Sequence, residues 1–250
     1  MKLRSLLCFA AAIPLGILRI FVIKTSVEVE KGFYVRGAVL PYVFTVLCLA
    51  ALVLFAAVSL SFRKKKYAGN LSGGAFALVG TAVFALALLC CGISTILSGN
   101  IILGTLGVIG GASLIIGAPA HVIPGKEGYL PVCMLIPCVW GVYNLITVFR
   151  RFSTIVTISD YLLQVLSLTA LLLFVFYAAK LYNDGGSSVI LHFSAYAVFL
   201  GVLVTALPAL YFALTREVVF CTAFTSDLAV LASMLIYAPS IIYTVDKNEI

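Results

Sequence analysis

Long apolar runs separated by short polar stretches dominate the chain. Residues 37–62, 128–149, 161–179, 185–215 and 228–245 carry no Asp, Glu, Lys or Arg, and residues 67–125 carry none over 59 positions. A helix needs about 20 apolar residues to cross the hydrocarbon core of a bilayer, so most of these runs fit one crossing and the longest fits two. The runs are continuously apolar rather than alternating. That pattern predicts membrane-spanning helices, not the strands of a transmembrane barrel. Turn chemistry sets the divisions: Ser98-Gly99-Asn100 breaks the longest run, and Asn183-Asp184-Gly185-Gly186 separates two others. The predicted spans are 5–23, 38–62, 74–97, 101–119, 129–149, 160–182, 188–214 and 226–245.

The fold class that follows is all-α: a polytopic transmembrane helix bundle of eight spans. It forms a single transmembrane domain over residues 1–250, with no connection long enough for a soluble domain. Seven crossings are the alternative, with segment 101–119 re-entering instead of spanning. That segment holds Gly104, Gly107, Gly110, Gly111 and Gly117, followed by Pro119. Glycine at this density either lets helices approach closely or marks irregular backbone. The segment is long and apolar enough to cross, which favours eight.

Composition agrees. Hydrophobic residues make up 63% of the chain, charged residues 10%, and the mean hydropathy is +1.20. A soluble domain carries about 25% charged residues. The net charge of +7 sits between the apolar runs, with a block at Arg63, Lys64, Lys65 and Lys66. That placement argues against a nucleic-acid-binding surface and for orientation in a membrane. It puts the basic block, and two spans earlier the N-terminus, on the cytoplasmic side of a plasma-type membrane. It also offers attraction to anionic lipid at the basic loop. The remaining charges do not choose between seven and eight spans, because either topology divides the 16 basic residues nine to seven. Tyr34, Tyr67, Tyr129, Tyr161, Tyr182 and Tyr243 fall at or near span ends, where amphipathic rings prefer the interface. The opening Met1-Lys2-Leu3-Arg4 resembles a secretory signal, but Arg19 and more apolar residues follow, so an uncleaved first span is expected.

Ionisable residues within or beside spans are the default candidates for function. Arg19 lies near the far end of the first span, where it can snorkel to headgroups or bind a ligand. Ser159-Asp160 opens the sixth span and Ser226-Asp227 the eighth, as a serine cap followed by an acid that complements the helix dipole. The loops before them carry Arg150, Arg151, Arg216 and Glu217. Two spans separate these dipeptides, so both fall on one membrane face as a mixed cluster of acids and arginines. His192, with Tyr196 one turn on, is a candidate for proton transfer or a structural hydrogen bond. His121, after Pro119, is expected at the interface. Asn144, Gln164 and Thr205 are neutral polar groups inside spans, suited to bonds between helices or to a polar path. Pro14, Pro137, Pro208 and Pro239 interrupt helix hydrogen bonding inside spans.

Catalytic templates are absent from the sequence: no His-Glu-x-x-His, no P-loop and no dinucleotide fingerprint. Gly92-Ile93-Ser94 and Gly111-Ala112-Ser113 contain the Gly-x-Ser of an intramembrane serine protease, a tripeptide common by chance in a chain with 20 glycines. The seven cysteines are odd in number, lack Cys-x-x-Cys spacing and lie in or at the edge of apolar runs, as packing residues do. No metal or cofactor is expected. The leading functional expectation is transport or binding of a small solute, alone or as the membrane subunit of a complex. The binding candidates are Arg19, Arg150, Arg151, Asp160, His192, Arg216 and Asp227. An intramembrane enzyme acting on a lipid, with Asp160, Asp227 or His192 as acid or base, is the alternative. A non-catalytic scaffold or sensor is the third reading.

Overall fold

The computed structural model describes residues 2–27, 34–35, 37–63, 74–123, 127–152, 159–215 and 226–247. Among them are eight α-helices: α1 (Leu3–Ser26), α2 (Leu40–Leu60), α3 (Gly74–Leu97), α4 (Ile101–Gly117), α5 (Leu130–Phe152), α6 (Ser159–Asp184), α7 (Val189–Thr215) and α8 (Ser226–Lys247). Each is long and apolar enough to cross a membrane, α4 together with the 3-10 turn Ala118–His121 that extends it. The chain is a multi-pass membrane protein. Helices are the form that lipid permits here, because they satisfy every interior backbone group within the segment.

The Ser98-Gly99-Asn100 break is a full helix-to-helix connection. Asn100 N–H donates to Thr95 O at 3.1 Å and Gly99 N–H to Ile96 O at 2.9 Å, a pair of bonds that closes the end of α3. Gly99 makes the turn possible with φ +94°, a conformation that a side chain disfavours. Asn100 then caps α4 by accepting from Leu103 N–H at 3.4 Å.

The glycines of α4 serve close approach along a continuous helix. A Cβ on Gly92 of α3 would meet Gly104 O at 2.7 Å, and one on Gly104 would meet Gly92 O at 2.6 Å. On another face of α4, Gly110 lies against the Pro137 backbone and Gly117 against Cys133, both in α5. A re-entrant segment is therefore not what forms. The crossing number is even, since Lys2 N–H at the start of α1 donates to Asp246 Oδ2 at the end of α8, at 2.8 Å.

The helices pack in chain order from α3 to α7, and α8 closes the arrangement by touching α3, α6 and α7. α8 is consequently the most buried span. α1 joins through α7, and α2 rests on the outside against α1 and α7, burying only Pro41, Phe44, Phe55 and Ser59. The face that carries the chain ends also carries the end of α2, the start of α3, the end of α6 and the start of α7.

Candidate functional site

Two buried polar clusters flank α8. Asp246 belongs to one and Tyr237 to the other. The step of nine positions from Tyr237 to Asp246 amounts to two and a half helical turns at about 3.6 residues per turn, so the two side chains leave α8 on opposite sides.

The first cluster joins α1, α7 and α8. His192 is fully buried, with Nδ1 at 2.9 Å from Ser188 O and Nε2 at 3.4 Å from Asp246 Oδ1. A carbonyl oxygen only accepts, so Nδ1 donates to Ser188. One proton must then lie between Nε2 and the carboxyl, as imidazolium facing carboxylate or imidazole facing carboxylic acid. The other carboxyl oxygen takes the Lys2 N–H. Phe62, just beyond α2, stacks on the imidazole at 4.0 Å and 8°, and the tilted Tyr196 ring lies 6.1 Å away. The pair is thus walled by aromatic rings.

The second cluster lies between α3, α6, α8 and the turn after α4. Thr81 Oγ1 donates to Ala77 O at 2.8 Å and is 3.0 Å from His121 Nε2. The hydroxyl proton is already committed, so His121 Nε2–H donates to it. In the neutral ring His121 Nδ1 is then an acceptor, and it has no partner in the protein. The His121 ring meets Tyr182 edge-on at 5.6 Å. Tyr182 and Cys138 lie within electrostatic reach of the Tyr237 hydroxyl. Tyr237 is stacked on Phe84 at 5.0 Å and set edge-on to Phe174 at 5.6 Å. The hydroxyls of Tyr182 and Tyr237 are buried without a hydrogen-bond partner, as are both amide atoms of Asn144 in α5. An unmatched polar group of this kind costs about 1–3 kcal/mol. The groups of the cluster without a partner in the protein are one acceptor and two hydroxyls, and none of its members is a Lys, Arg, Asp or Glu.

The predicted site residues are distributed differently. His192 sits in the first cluster with Tyr196, but its principal partner is Asp246. Arg19 is fully buried instead of reaching toward headgroups. It donates to Tyr34 Oη at 2.6 Å and faces the Phe44 ring at 5.2 Å, at the junction of α1 and α2. Tyr34 reaches it because Val35 N–H bonds back to Ser26 O at 2.8 Å. Ser159 and Ser226 begin α6 and α8 as expected, which puts Asp160 and Asp227 on the face opposite the chain ends. Asp227 is half-buried, and Cys91 Sγ–H points at its Oδ1 from 3.7 Å. Arg150 is exposed at the end of α5. The side chains of Arg151 and Asp160, and all of Lys64, Lys65, Lys66 and Arg216, lie outside the described residues. Among the described residues no three His, Cys, Asp or Glu side chains converge on a metal-sized space.

Sequence reasoning missed Asp246, Thr81, Tyr182 and Tyr237, and placed His121 at the interface. His121 is 1% exposed and Tyr182 3% exposed, both turned inward. A charge beside Lys247 reads as the start of a loop, and a tyrosine near a span end reads as an interfacial ring. The available signal was the pairing of ionisable types, because a buried histidine in a membrane span calls for a partner.

No protein-family model matches the chain, and neither does any curated protein or solved structure.

Proposed function

We propose that the chain binds a small uncharged polar solute inside the bundle and moves it across the membrane. The observation that supports this is the second cluster, where His121 Nδ1 and the hydroxyls of Tyr182 and Tyr237 stand buried without partners. A ligand that supplies hydrogen-bond partners to these groups would offset the cost of leaving them unmatched. Their chemistry favours a ligand with both donors and acceptors. It disfavours a charged one, whose desolvation no countercharge in the cluster would offset. The His192–Asp246 pair is enclosed by rings and ties three helices together, so an acid–base role toward a lipid substrate has less support.

The same reading places the face with the chain ends and Arg63 in the cytoplasm, in a plasma-type membrane, by the excess of basic residues there. In a cysteine-free background, Ser187→Cys should be labelled from the cytoplasmic side and Ser98→Cys from the other. Transport is tested in proteoliposomes by stopped-flow light scattering against gradients of glycerol, urea and erythritol. Faster solute entry than in protein-free vesicles is expected, and its loss in Tyr182→Phe/Tyr237→Phe. Entry rates equal to those of empty vesicles for all three solutes would remove the support.

A further inference from the structure

A second feature lies at the face that carries the chain ends. The end of α2, the last turns of α6 and the start of α7 enclose a groove of about 600 Å³. Its polar lining includes Arg63 and Lys180, and its apolar lining includes Leu60, Tyr177 and Ile190. Leu60 and Ile190 are 58% and 44% exposed, so the groove continues into the lipid-facing surface. Gly185 and Gly186, which form the turn into α7, line it with bare backbone.

Charge decides what fits. Neither Arg63 nor Lys180 has a carboxylate partner among the described residues. The Lys180 ammonium rests over the Tyr177 ring at 5.9 Å. Asp184, one turn further along α6, is exposed and accepts from Asn183 at 2.6 Å. The 27-residue helix α7 begins at the groove, and its N-terminal dipole adds to the positive field. The volume is that of a small-molecule site. Two cations at headgroup depth above an apolar wall match a molecule with an anionic head and a hydrocarbon tail.

We propose that this groove holds the phosphate of a net-anionic glycerophospholipid between Arg63 and Lys180, with an acyl chain running along Leu60 and Ile190. This is a site of defined position, distinct from diffuse attraction to the basic loop, and it does not depend on the solute reading. The test uses purified full-length protein in neutral detergent, titrated with short-chain phosphatidylglycerol or phosphatidylcholine and followed by native mass spectrometry. Wild type should bind phosphatidylglycerol selectively. Arg63→Ala/Lys180→Ala should bind it on the order of 25-fold more weakly, about fivefold per charge. Arg63→Lys/Lys180→Arg should retain most of the affinity, which separates lost charge from lost fold. Lys64→Ala/Lys65→Ala/Lys66→Ala should change affinity much less than the groove variant. Equal binding by wild type and the groove variant would overturn the proposal, as would loss confined to the triple-lysine variant. Competition by millimolar inorganic phosphate as effective as by the lipid would identify the ligand as free phosphate and overturn the lipid assignment.

Discussion

Replacing Tyr237 by phenylalanine isolates one oxygen atom. The ring stays between Phe84 and Phe174, so the aromatic contacts, each worth about 0.5–1.5 kcal/mol beyond burial, are retained. What disappears is a hydroxyl that is fully buried and has no partner. Leaving such a group unmatched costs about 1–3 kcal/mol, so Tyr237→Phe should stabilise the folded protein by that amount. For a chain of this size the gain corresponds to a rise in melting temperature of roughly 2–12 °C. Trp140 is the sole tryptophan and is 1% exposed, so its emission during heating in detergent reports unfolding from inside the bundle. The variant should melt higher than wild type and lose the stabilisation that a bound solute confers. A lower melting temperature would refute the reasoning, because it would mean that the hydroxyl is satisfied and contributes to the fold.

Other expectations follow from the same contacts. Gly92→Ala sets a methyl 2.7 Å from Gly104 O, where ordinary contact begins at 3.4 Å; α3 and α4 must part, at a cost of about 1–3 kcal/mol read as a lower melting temperature. Asp246→Ala leaves His192 and the Lys2 amide without their shared partner and should cost about 3–5 kcal/mol, whereas Asp246→Asn, which keeps a hydrogen-bonding group in place, should cost less in the same assay. Arg19→Met removes the donor to Tyr34 and the charge over Phe44 while preserving bulk, and should lower the melting temperature in the same assay.

The frame of the molecule was legible because lipid makes each crossing a local matter. An uninterrupted apolar run must be a helix of known length, and the predicted span 74–97 coincides with α3 (Gly74–Leu97). The Gly99 turn was equally local. The clusters were not, because they depend on which helices meet. Residues 81, 121, 182 and 237 come from four separate parts of the chain, and hydropathy says nothing of their rotation about each helix axis. Asp246 shows the same limit. Its charge marked a span boundary, while its partners lie 54 and 244 positions away. Arg19 differed from its expected exposure because aromatic rings from α2 and the connection before it provide a buried berth that the first span alone does not reveal.

The bond between Lys2 and Asp246 also bears on biosynthesis. The acceptor for an amide at the start of α1 is supplied by α8, which is synthesised after the other seven described helices. Until α8 inserts, His192 resides in the membrane without Asp246, and the inner faces of α3, α6 and α7 lack the helix that covers them. A chain halted after α7 would therefore expose a polar histidine and an unfilled groove to lipid, features that membrane quality control can recognise. Removal of α8 should therefore lower the steady-state level of the protein even though the other seven described helices remain.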